Sequence, residues 1–228
     1  MAKRTRTASK PRLLKSVEIE QIFKTLEELW PDAHCELDHN NTFQLLIAVV
    51  LSAQTTDKAV NKALAPLLKS TPQFSPADLI QMGEKKFLDV IKSIGLAPTK
   101  ARNSLALAKQ LVALHNGSVP LDRASLEALP GVGRKTANVV LNVAAGLPTM
   151  AVDTHVARVS VRMGLVSKTD NRLQIEEELL ARVPSKWGVI AHHLLIFHGR
   201  YHCTARAPKC ETCPVFALCK RTGIDSAG

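Results

Sequence analysis

From Ser16 onward apolar residues recur at helical spacing. Val17, Ile19, Ile22, Phe23, Leu26, Leu29 and Trp30 fall on one stripe, with Ser16 as the expected N-cap and Pro31 as the stop, which predicts a first amphipathic helix. The stretch Phe43–Ala53 is apolar nearly all round between polar flanks, the pattern of a helix buried at a domain centre. Further helices are expected at about Asp57–Leu68, Pro76–Met82, Glu84–Ser93 and Thr99–His115, the last closed by Asn116-Gly117 in the left-handed conformation. Beyond these, Arg123–Leu129, Arg134–Ala145, Asp153–Met163, Arg172–Val183 and Ser185–His198 complete about ten helices. Valine-rich Asn138–Val143 has strand propensity, but its flanks continue a 3.6-residue period better than an alternation. No hairpin of strands and no 30-to-45-residue repeat stands out, so the expected fold class is all-α and a solenoid is disfavoured.

Composition narrows the function. With 228 residues, 46% of them hydrophobic, the chain can bury one large core or two modest ones. The longest apolar run, Leu45–Leu51, is seven residues, far short of the roughly 20 that cross a bilayer, and no secretory signal is evident. An intracellular protein without a membrane partner is expected. The net charge of +10 points to a polyanionic partner, of which nucleic acid is the commonest in cells. Lys3, Arg4, Arg6, Lys10, Arg12 and Lys15 contribute six of those charges without an acid among them. Residues 1–15 therefore read as a disordered basic arm touching nucleic acid, since their amphipathic character is too weak for a transit peptide. Aromatic residues make up only 4% of the chain, which disfavours a platform that stacks single-stranded bases and favours duplex binding.

Two glycines flanking one valine in Leu129-Pro130-Gly131-Val132-Gly133 allow a tight turn between helices, with backbone amides and the next helix N-terminus available to a phosphate. A single Pro-Gly-x-Gly of this kind is more often an ordinary corner. Lys135 follows in the first turn of the next helix. A lysine attacks only as the free amine, and the positive surroundings supplied by a helix N-terminus and by Arg134 are those that such chemistry calls for. Binding phosphate is its plainer role. Asp153, in Ala151-Val152-Asp153-Thr154-His155, is the candidate partner acid; its plainer role is an N-cap. The helix after Lys135 advances about 15 Å and the following segment, if extended, returns about 23 Å, so the chain length permits the carboxylate to come back to Lys135.

Cys203, Cys210, Cys213 and Cys219 follow the pattern Cys-x6-Cys-x2-Cys-x5-Cys, with Cys35 left over as an expected buried thiol. Disulfides do not suit a basic intracellular protein. Four thiolates on short loops hold either tetrahedral zinc or a [4Fe-4S] cluster, and spacing alone does not separate them. Arg206 and Lys209 lie between the first two cysteines, where a fixed loop would present both to phosphates. His198 and His202 flank the group and read as hydrogen-bonded structural residues.

The string LPGVGRKTANVV resembles the helix-hairpin-helix element of DNA glycosylases. With its continuation LNVAAGLPTMAVDTHVARV and the cysteine pattern, including Pro214, it is similar to the endonuclease III family from about Val17 to Cys219. That resemblance implies a [4Fe-4S] cluster on the four cysteines and a hairpin gripping the DNA backbone through Gly131, Gly133 and a bound monovalent cation. It implies a six-helix barrel domain over 37–147, with the helix-hairpin-helix at about 123–145. The cluster domain would then comprise 16–36 and 148–228, with a DNA groove between the two. The implied activity is excision of oxidised pyrimidines from duplex DNA followed by β-elimination at the abasic site, with Lys135 forming a Schiff base and Asp153 assisting. Gln54 in LSAQTTD matches the residue that fills the space left by the extruded base, and Leu96 the wedge into the opposite strand; their plainer readings are a helix C-cap and a buried turn leucine. Ala97 stands where the family often has a bulky aromatic, a departure bearing on the opposite-strand contact. Asp57 is expected near the base pocket and His155 near the DNA backbone, with local capping or packing as the alternative for each, and Arg134 is expected near the DNA backbone. A monomer in a bacterial cytoplasm, associated with the nucleoid, is the implied setting. A monofunctional glycosylase and a non-catalytic iron-sulfur DNA sensor are the competing readings.

Overall fold

A computed structural model describes residues 13–224. Among the described residues there are ten α-helices, one short 3-10 helix and no strand, so the fold is all-α. The chain divides into two compact units. One is His34–Ala151; the other joins Met1–Ala33 to Val152–Gly228, of which residues 13–33 and 152–224 are described.

The central unit contains α2 (Thr42–Leu51), α3 (Asp57–Ser70), α4 (Pro76–Ile91), α5 (Ala97–His115), α6 (Arg123–Glu127) and α7 (Arg134–Ala145). Helix α2 packs against α3, α5 and α7 and is buried at every position from Phe43 to Leu51. Its one buried polar side chain is satisfied: Gln44 Nε2 donates to Pro72 O at 2.9 Å, and its Oε1 accepts from Asn40 N at 2.8 Å. Asn41 caps the helix by accepting from Gln44 N at 2.9 Å. The two helices expected on either side of Gly83 form one element with a break there, since Gly83 has φ 76° and ψ 164°. Asn116 and Gly117 both have positive φ and close α5 in the left-handed conformation expected of them.

Past α7 the chain turns at Gly146 (φ 62°) and runs back along the helix it has just left. Leu147 N donates to Leu141 O at 3.2 Å. One turn nearer the helix start, Thr149 Oγ1 donates to Asn138 O at 2.6 Å and Asn138 Nδ2 donates to Met150 O at 3.0 Å. Asn138 is fully buried and also accepts from Arg123 of α6 at 2.5 Å, so one side chain ties the two helices of the hairpin to the returning segment.

The other unit contains α1 (Ser16–Leu29), α8 (Thr154–Met163), α9 (Arg172–Arg182), the 3-10 turn Ser185–Trp187 and α10 (Ala191–Tyr201). Helix α10 packs against α1 and α8. Two expectations need correction here. Lys15, not Ser16, is the N-cap of α1, because its extended backbone presents its N–H to the Glu18 carboxylate at 2.6 Å. The single helix expected over Ser185–His198 is broken because Trp187 is anchored on α1: its Nε1 donates to Glu27 at 3.0 Å and its ring lies 5.8 Å from that of Phe23. The expected arm, 1–15, lies outside the described residues up to position 12. Its end is corrected at Leu14, which is buried, donates to Gly164 O at 3.0 Å and accepts from Arg182 at 2.5 Å.

Candidate functional site

The turn between α6 and α7 is built by two glycines doing different things. Gly131 has φ 78°, a conformation that L side chains rarely adopt, and a Cβ there would sit 3.1 Å from that of Asn103. Gly133 is extended, with φ −106° and ψ 177°, and serves as a cap without a side chain. Between them Val132 is buried and donates to Leu129 O at 3.1 Å, which pins the turn to its unit. The first-turn amides of α7 are thus left without a side-chain cap, at the positive end of the helix. Arg134 and Lys135 occupy that turn, both exposed. Within its own unit the Lys135 amine pairs with no carboxylate.

Asp153 belongs to the other unit, where it is the N-cap of α8: Oδ1 accepts from Val156 N at 2.8 Å. The side chain is half-buried, and the capping role expected as the plainer alternative is therefore real. Two residues later His155 has its Nδ1 3.3 Å from Arg158 Nη2.

In the central unit Gln54 and Leu96 stand out by conformation. Gln54 has φ 57° and Leu96 φ 61°, and neither is a glycine. Gln54 is exposed and is not a helix cap, since Ser52 caps α2. Leu96 is 60% exposed rather than a buried turn leucine, while its neighbours Ile94 and Ala97 are buried. Two side chains are thus held outward on strained backbone, which suits tips that enter something. Asp57 is the first residue of α3 and is half-buried.

The four cysteines at the end of the chain share one concavity. It encloses about 320 Å³ including its open mouth, and Cys203, Cys210, Cys213 and Cys219 line it with His198 and apolar Met163 and Val215. Burial pushes the Cys213 thiol up to about 11 and raises that of Cys219, so free thiols at these two positions stay protonated at neutral pH. Four cysteine sulfurs around one concavity are a donor set that either a zinc ion or an iron-sulfur cluster takes. His198 is buried and held near 4, first by burial and then by the neighbouring His202, so its ring is neutral at pH 7. Its Nε2 lies 3.7 Å from Cys213 Sγ and its ring stacks on that of His202, 5.1 Å away. His202 Nε2 is 3.0 Å from Lys209 O.

Sequence reasoning missed what carries this loop. Arg162 donates to Thr204 O at 2.6 Å and to Ala205 O at 2.9 Å, and Arg158 to Cys203 O at 3.1 and 3.2 Å. The available signal was their spacing, four residues apart on one face of α8. Arg206 and Lys209 are exposed on the loop so formed. Cys35 is half-buried rather than buried, packed against the edge of the central core.

Comparison with known proteins bears on the whole chain. Residues 47–185 match the model of the HhH-GPD superfamily of base excision DNA repair proteins, and residues 203–219 that of the iron-sulfur binding domain of endonuclease III. The chain is 49% identical over 200 residues to endonuclease III of Escherichia coli (strain K12), covering 88% of this chain and 93% of that one. It is 44% identical over 208 residues to endonuclease III of Bacillus subtilis (strain 168), covering 91% and 94%. Among solved structures it is similar to a trapped endonuclease III-DNA covalent intermediate, with a TM-score of 0.85 and 47% identity over 92% of this chain and 97% of that one. A thermostable thymine-DNA glycosylase shares the fold, with a TM-score of 0.76 at 24% identity over 90% of this chain and 96% of the other.

Proposed function

The chain belongs to the endonuclease III family of the HhH-GPD superfamily, and on that footing we propose that Lys135 and Asp153 carry its chemistry. It is a base-excision-repair DNA glycosylase with associated AP lyase activity; its partner is damaged duplex DNA and its cofactor a [4Fe-4S] cluster. Oxidised pyrimidines are the substrates we assign. The Lys135 amine attacks C1′ of the extruded nucleotide, the glycosidic bond breaks, and the base departs with the electron pair and gains a proton. The Asp153 carboxylate takes the proton lost by the amine and stabilises positive charge developing on the sugar. The C1′–O4′ bond then opens, O4′ keeping the electron pair and gaining a proton, which leaves an iminium between Lys135 and C1′; the iminium acidifies C2′–H, and loss of that proton expels the 3′ phosphate. Gln54 fills the vacated space and Leu96 wedges into the opposite strand. Gly131, Gly133, Arg134, His155, Arg206 and Lys209 contact the backbone, and Asp57 borders the base pocket.

One observation carries the reading. Lys135 lies exposed on the first turn of α7, directly behind a hairpin whose amides carry no side-chain cap, and no carboxylate of its own unit pairs with its amine. We assign a monomer working in a bacterial cytoplasm on nucleoid DNA; among the described residues no helix is long and apolar enough to cross a membrane. The test is incubation with duplex DNA containing thymine glycol in the presence of sodium borohydride. A covalent protein-DNA adduct is expected, and its absence while the DNA is still bound overturns the lyase mechanism in favour of monofunctional excision or damage sensing.

Cys203, Cys210, Cys213 and Cys219 hold the cluster, which when bound cross-links a segment that has little core of its own. Cys203 and Val215 are its buried side chains between residues 203 and 219. Cys213→Ala is expected to abolish the visible iron-sulfur absorbance and to open the loop to trypsin at Arg206 and Lys209. Binding to undamaged duplex should also lose salt dependence, the slope of log K against log salt becoming shallower by about two, close to one for each lost phosphate contact. An unchanged slope in protein without the cluster would remove Arg206 and Lys209 from the interface.

A further inference from the structure

Lys100 on α5 is a buried cation, 6% exposed, within the central unit. Its Nζ donates to Leu51 O at 2.8 Å and to Thr55 Oγ1 at 2.9 Å, while its backbone N–H donates to Leu96 O at 3.0 Å. Residues 51 and 55 bracket Gln54. Its side chain thus bonds both sides of the Gln54 turn from the first stretch of the helix that the Leu96 turn opens, and these two turns hold two of the four non-glycine residues with positive φ among the described residues. A left-handed L-residue is strained and persists only where its surroundings fix it.

The end of α2 leaves one acceptor for this cation. Ala48 O accepts from Ser52 N at 2.9 Å and Val49 O from Ser52 Oγ at 2.9 Å, so Leu51 O, at the negative end of the helix dipole, is taken by the ammonium. Burial alone pushes this lysine below the usual range, and carbonyl and hydroxyl oxygens are the acceptors it has. Solubilising α5 would not require a lysine here, since residue 100 lies on the stripe formed by the buried residues Ala97, Ala101, Ser104, Leu107 and Leu111.

We infer that Lys100 is a positioning residue that holds the Gln54 and Leu96 turns in one register, so that both tips enter the duplex together when a nucleotide is extruded. The inference rests on the roles given to those two tips above. Tips matter only where there is a stack to breach, so the duplex and the single strand separate a positioning role from a structural one.

The experiment measures excision of thymine glycol from duplex DNA and borohydride trapping on a single-stranded oligonucleotide carrying a preformed abasic site, for wild type, Lys100→Met, Lys100→Arg and Thr55→Val. Lys100→Met is expected to lose about 10- to 100-fold in single-turnover excision from duplex, the cost of a displacement near 1 Å, while trapping on the single strand is unchanged. Lys100→Arg, which keeps donors for both oxygens, should recover most of the loss. Thr55→Val, which removes one acceptor and leaves Leu51 bonded, should move the same way by a smaller factor and decides the matter if Lys100→Met does not fold. Equal losses on both substrates, or no loss on either, overturn the inference. Wild-type protein that traps on neither substrate overturns the functional reading beneath it as well.

Discussion

Lys135→Gln is expected to leave a folded protein that binds damaged duplex but forms no borohydride adduct, with excision reduced at least about 10³-fold. The side chain is exposed and has no acidic partner in its own unit, so its removal takes no packing and no ion pair from the fold. It also stands in the first turn of α7, where a positive charge opposes the helix dipole by about 0.3–1 kcal/mol. Glutamine retains most of the length and the hydrogen bonding while removing both the charge and the nucleophilic nitrogen. Thermal unfolding should therefore be unchanged or rise slightly while chemistry is lost, the reverse of what a structural lysine would give. Adduct formation persisting in the variant would move the nucleophile to another amine.

The all-α class and the hairpin were legible because they rest on signals longer than one residue. Helical periodicity repeats over many turns, and the sequence from Leu129 to Lys135 combines a left-handed glycine, a buried valine and a cap glycine, each required by the turn that forms. The return of the chain along α7 was permitted by length alone; the pin that selects it, Asn138, lies within a valine-rich run where a lone amide gives no pattern. The 3-10 break after Pro184 depends on the indole of Trp187 reaching α1, a contact 160 residues away in sequence. Lys100 was missed for a related reason. A single lysine in a helix reads as a solvated face, and only its registration with Ala97, Ala101 and Ser104 marks it as inward. Nor does any residue type announce that Gln54 and Leu96 take positive φ, since that conformation is imposed by what surrounds them.

Asp153→Asn separates the two jobs held by that carboxylate. In the structure Asp153 Oδ1 accepts from Val156 N, and asparagine caps a helix about as well as aspartate, so the variant should keep α8 and its melting temperature. What it removes is the negative charge and the capacity to accept a proton. Excision and trapping on thymine glycol duplex should each fall by about 10²- to 10⁴-fold, the range of a general base. Asp153→Ala provides the control for the cap, since it should add a stability loss of about 1 kcal/mol to a similar loss of rate. If the aspartate acted only as a cap, the ordering would reverse: asparagine would be nearly silent in rate, and alanine would lose rate only in proportion to its loss of stability. A rate for Asp153→Asn within a few-fold of wild type would therefore leave Lys135 without its acid-base partner and confine Asp153 to the start of α8.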